Sequence, residues 1–174
     1  MSLLLLLLPL QLPLLAAGAP EQGHLALTDA GVSLTWVDKN ASGAATAPAV
    51  SALYGVRYGL SPDNLDKASG ASVTTYARTE LCGAPANTTA NWVDPGHIFY
   101  AEMDLTEYAH GTRVFYSFGA DAANATRSAT LSFTHGTHSP EKTSFIAYGD
   151  MGLRGSYHNS TEEILAHLDD VDFV

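Results

Sequence analysis

No segment between His24 and Gly136 sustains a helical period, and that property confines most of this chain to β structure. Apolar residues there alternate with polar ones in short runs. In residues 32–37, Val32, Leu34 and Trp36 share one face, with Ser33 and Thr35 on the other. Further runs at 54–58, 72–76, 98–103, 114–118 and 130–133 are rich in β-branched and aromatic side chains. Glycine, proline and asparagine punctuate them at 41–47, 61–64, 85–87 and 94–96. Six or seven strands over about a hundred residues predict an immunoglobulin-like or fibronectin-type β-sandwich. Trp36, a large aromatic in an alternating strand, is its expected core residue.

The pattern changes after His135. Residues 135–142 are polar and contain Gly136 and Pro140, which predicts a domain linker. His135 and His138 have a spacing that could hold a metal, but no carboxylate or thiolate neighbours them, so a solvated linker is the better reading. Residues 144–148 (Ser-Phe-Ile-Ala-Tyr) form an unbroken apolar run of the kind buried on both faces of a parallel sheet. Gly149, Asp150, Met151 and Gly152 end it. Ser160 and Glu163 stand as a capping box, and Ile164, Leu165 and Leu168 follow at helical spacing. Residues 171–174 then read as a second strand. The expectation is a mainly β chain: a sandwich followed by the first βαβ unit of a truncated α/β domain, which needs further strands to bury its faces. At 174 residues the chain is too short for a sandwich plus a complete α/β catalytic domain.

Asp150 is the position with a sharp chemical reading. In parallel α/β sheets, ligands gather just beyond the carboxyl ends of strands. The flanking glycines let the backbone approach an ion closely, and a carboxylate there can hold a hard cation. The same four residues also suit a surface turn.

Several features predict export. Residues 1–19 carry no charged side chain, contain a leucine run from Leu3 to Leu8, and end in small residues, as a signal peptide does. The apolar stretch is shorter than the ~20 residues that span a bilayer. Asn40, Asn87, Asn124 and Asn159 each stand in Asn-X-Ser/Thr and are candidate glycosylation sites. A net charge of −10 argues against nucleic acid or an anionic membrane as partner. Cys82, the single cysteine, cannot form an internal disulfide and is expected to be a small buried residue.

Taken in order, the segments resemble the purple acid phosphatases, specifically the large plant-type members with a fibronectin-like domain ahead of the catalytic one. The resemblance rests on Val56-Arg57-Tyr58-Gly59 with Ser61 and Leu65; on Leu81-Cys82 with Pro85-Ala86, then Trp92-Val93-Asp94-Pro95-Gly96; on Tyr116-Ser117-Phe118-Gly119; and on residues 145–152, Phe-Ile-Ala-Tyr-Gly-Asp-Met-Gly. One departure is Phe99, where the family usually has a histidine, and it bears on packing. The resemblance implies three regions: a signal peptide at 1–19, a fibronectin-like domain at 20–138 and an incomplete metallophosphatase domain at 142–174.

It also implies hydrolysis of phosphate monoesters by a ferric ion and a second divalent metal (iron, zinc or manganese), through Lewis-acid polarisation and a lowered water pKa. Asp150 corresponds to a terminal ligand of the ferric ion, and no other metal ligand or catalytic residue is expected within the chain. The remaining ligand blocks, beginning with Gly-Asp-X-X-Tyr, would follow residue 174. Alternatives are a non-catalytic secreted binding domain, if the chain ends there, or another metallophosphatase such as a phosphodiesterase.

Overall fold

The alternation at residues 32–37 becomes strand β2 (Gly31–Asp38) in a computed structural model that describes residues 19–39, 53–121, 126–136, 141–149 and 157–172. In this sheet β2 lies between β1 (Glu21–Thr28) and β6 (His97–Asp104), and β5 (Ser72–Thr74) adds to the far side of β6, giving the order β1-β2-β6-β5. The second sheet has the order β4-β3-β7-β8, with β3 (Tyr54–Gly59), β4 (Lys67–Gly70), β7 (Arg113–Ala120) and β8 (Leu131–Thr134). Every pairing is antiparallel. This is the sandwich that the sequence predicts.

Period-two patterning places the core between the sheets. Val32, Leu34 and Trp36 from β2 and Phe99, Ala101 and Met103 from β6 meet Val56 and Tyr58 from β3 and Val114, Tyr116 and Phe118 from β7. Trp36 is fully buried, as expected; its ring lies 5.3 Å from Phe99 in a stacked arrangement and 5.4 Å from Phe118. Phe99 also stacks on Tyr54 at 4.2 Å, so the departure at this position is indeed a packing feature. Leu105 closes one end, its N–H donating to the Ala30 carbonyl. Gly31 is required there, because a Cβ would sit 2.2 Å from the Met103 carbonyl oxygen.

Two strands are additional to the expected set. β1 is exposed along almost its whole length, and β4 (Lys-Ala-Ser-Gly) contains no β-branched or aromatic residue. Both lie at sheet edges, where hydrogen bonds to a well-formed neighbour recruit a segment of weak propensity. The expected run at 72–76 shortens to β5. Cys82, expected to be buried, is exposed. It lies in the long excursion between β5 and β6, outside the core, where nothing selects for an apolar interior.

Beyond the sandwich the expected helix is present as α1 (Tyr157–Ala166), followed by a 3-10 turn at Leu168–Asp170. It begins a turn earlier than the capping box predicts, so Ser160 lies inside the helix rather than at its cap. Residues 144–149 do not form the expected strand and are irregular apart from an isolated bridge at Phe145; of the second expected strand, Val171 and Asp172 are irregular and residues 173–174 lie outside the described residues. Phe145 and Tyr148, read as buried, are 59% and 58% exposed, because no described strand covers them. The two segments nevertheless lie side by side. Ser144 N–H donates to Asp172 Oδ2 at 2.7 Å, and Asp172 N–H donates back to the Ser144 carbonyl at 2.8 Å. Among the described residues no helix is long and apolar enough to cross a membrane.

Candidate functional site

The residues with chemical potential fall into three places. The first is the end of β8, where the chain leaves the sandwich. His135, expected in a solvated linker, is instead half-buried and belongs to the sandwich. Its N–H donates to the Thr112 carbonyl and its carbonyl accepts from Gly111 N–H, both at 2.8 Å. Its ring lies 5.5 Å from that of His110, edge to face. Burial, and then the neighbouring His110, push the His135 imidazole below its ordinary range. His138 lies outside the described residues, so the structure does not test the His135–His138 spacing.

The second place is the helical region. A cleft of about 610 Å³ opens between Ile146 and Tyr148 on one side and Ser160, Glu163, Ile164 and His167 on the other. His167 is exposed and sits 3.4 Å from Asp170 and 3.3 Å from Glu163; these two carboxylates, Asp170 foremost, raise its pKa. Asp150 lies outside the described residues, one position past Gly149. Among the described residues no three His, Cys, Asp or Glu side chains gather as a metal-binding group. The described residues therefore do not fit a two-metal centre by themselves, and no catalytic step is derived through one.

The third place carries residues that the sequence did not single out. Arg127 pairs with Asp121 at 2.8 Å, and Arg57 pairs with the same carboxylate at 2.9 Å. Arg127 also donates to Ser117 Oγ and to the carbonyls of Gly55, Ser117, Gly119 and Ala120. Burial lowers its pKa, and Asp121 opposes that shift. Most of its acceptors lie within ten residues on β7 and the loop after it, but no periodic pattern marks them, and Gly55 and Arg57 join the cluster only through the β3–β7 pairing.

Of the glycosylation candidates, Asn159 is exposed in α1 and Asn87 is half-buried in the loop after β5, its N–H donating to the Gly83 carbonyl. Asn40 and Asn124 lie outside the described residues.

Two four-stranded antiparallel sheets closed on a Trp36–Phe99–Phe118 core define a β-sandwich domain of the fibronectin and immunoglobulin class. The chain belongs to the purple acid phosphatase family: residues 20–135 match the family described as purple acid phosphatase, N-terminal domain. That span runs from just before β1 to the residue after β8. The chain is 32% identical over 142 residues to probable inactive purple acid phosphatase 9 of Arabidopsis thaliana, across 82% of this chain and 20% of that protein. It is also similar to the structure of purple acid phosphatase PPD1 from yellow lupin (Lupinus luteus) seeds, with a TM-score of 0.68 and 25% identity, over 88% of this chain and 28% of the lupin chain. The chain thus spans between a fifth and a third of the length of these relatives.

Proposed function

We propose that this chain supplies the non-catalytic amino-terminal sandwich of a secreted, glycosylated purple acid phosphatase, with Asp150 as the first ligand of a two-metal phosphomonoesterase centre built mainly from residues outside this sequence. The observation that carries this reading is the coincidence of the family match with a sandwich that has its own complete core. Metals bound in such a centre would polarise a phosphoryl oxygen and lower the pKa of water. This chain's described residues contribute the scaffold.

The test is a phosphatase assay on the purified 174-residue chain with iron and zinc added, beside a longer product of the same gene. The short chain should be silent and the longer one should hydrolyse a phosphate monoester. Turnover by the short chain alone would overturn the assignment of catalysis to other residues.

A second reading is favoured by the name of the Arabidopsis relative, a probable inactive phosphatase. In that case the longer product would also be silent with both metals supplied, and the sandwich would act as a secreted binding domain.

A further inference from the structure

The point where the chain leaves the sandwich is built from two histidines and two glycines. His110 and Gly111 lie in the turn between β6 and β7, and His135 and Gly136 follow β8. The two histidine rings meet edge to face at 5.5 Å, and the His110 ring also packs on the Gly136 backbone, where a Cβ would fall 2.7 Å from His110 Cγ. Gly136 has a φ of +81°, which favours glycine a second time. Two backbone hydrogen bonds seal the contact, from Gly111 N–H to the His135 carbonyl and from His135 N–H to the Thr112 carbonyl.

We infer that this His110–His135 contact is a pH-responsive clasp, closed when the rings are neutral and released on acidification, which sets how firmly the segment after β8 is held to the sandwich. Two imidazolium ions in edge contact repel, and the half-buried ring of His135 loses solvation when charged. The groups that bear on His135 are His110, which opposes its charged form, and the backbone of Tyr108, whose hydrogen bond favours the charged ring but is outweighed by burial and His110. Charged groups on the surrounding elements have partners of their own. Lys67 pairs with Glu107 over the Tyr108 ring, Arg113 bonds Ser132 and lies over Phe115, and Asp104 accepts from Thr106.

The direction follows from linkage. The folded-state pKa of His135 is depressed, so the unfolded or opened state binds more protons. Clasp stability is therefore full above the ordinary histidine value of about 6.5 and is lost as pH falls through the lower folded value.

The experiment is an NMR titration of the whole chain between pH 8 and pH 5, following both imidazoles and the exchange protection of the Gly111 and His135 amides. His135 should titrate below the ordinary histidine value of about 6.5. Protection at both amides, corrected for intrinsic exchange, should fall about tenfold per unit by which the His135 pKa is depressed. Amides in the middle of β7 should not change. His110→Ala should raise the His135 pKa, and His135→Gln should make protection independent of pH. The ring titrations of the unsubstituted chain stand as a test even if a variant fails to fold. Protection that stays constant while the His135 ring titrates, or a His135 pKa at or above the ordinary value of about 6.5, would overturn the clasp.

Discussion

Arg127 shows how much of a sandwich's stability can rest on one side chain outside the apolar core. Its guanidinium reaches acceptors on β3, on β7 and on the loop that follows β7, and its side chain is only 19% exposed. Removing it leaves several carbonyls and the Asp121 carboxylate short of a donor, and an unsatisfied, partly buried acceptor costs about 1–3 kcal/mol. Arg127→Ala should therefore destabilise the domain by about 2 kcal/mol, read from the midpoint of urea unfolding at unchanged slope. Arg127→Lys should recover little, because an ammonium cannot span the same acceptors. A loss below about 0.5 kcal/mol would mean that water replaces the guanidinium without cost. At this scale the sequence was legible where packing repeats. Trp36 and Phe99 sit at alternating positions that the strand period sends inward. The Arg127 cluster was not legible: Arg127 and Asp121 stand six residues apart in no periodic pattern, and Gly55 and Arg57 join them only when β3 pairs with β7. Cys82 was misread because the burial tendency of cysteine is a statistical average, whereas its loop lies off the core.

Elements were readable to the degree that their own residues determine them. β2, β3, β6 and β7 carry the alternating apolar positions and appear where that alternation runs. β1 and β4 form because a neighbour presents free backbone groups, so no signal of their own was available. The helix was visible from Ile164 and Leu165, but its first turn recruits residues before the apparent cap. Its carboxyl end carries a device with the opposite pH sense to the His110–His135 contact. His167 lies between Glu163, one turn back, and Asp170, and its folded-state pKa is raised. Its contribution is present below the ordinary value of about 6.5 and is lost as pH rises through the raised folded value. The His167 imidazole should therefore titrate above about 6.5 by NMR, and Asp170→Asn and Glu163→Gln should each lower that value. An unshifted titration would show that both carboxylates stay solvated and separate from the ring.

At the scale of the whole molecule, the sandwich and the segment after it differ in how much of their apolar surface they bury. Among the described residues, the sandwich encloses thirteen buried hydrophobic residues between two paired sheets. In the later segment Phe145, Tyr148, Leu165 and Leu168 remain 59%, 58%, 60% and 43% exposed, and no described strand covers residues 144–149. The sequence already implied this imbalance, since one strand–helix–strand unit cannot cover both of its faces. It did not reveal that residues 144–149 would be irregular, because an apolar run becomes a strand only when partners supply the other half of its hydrogen bonds. Amide hydrogen exchange measured by mass spectrometry on the 174-residue chain should separate the two regions. Peptides covering Val32 to Val37 should open only with the whole domain, whereas those covering Ser144 to Tyr148 should exchange at least ~100-fold faster through local opening. On the proposed reading, a longer product of the gene should slow exchange in Ser144 to Tyr148 and leave β2 unchanged. Equal, strong protection of both regions in the 174-residue chain would mean that residues 144–172 are already covered. The proposal that they await further strands of a catalytic domain would then fail.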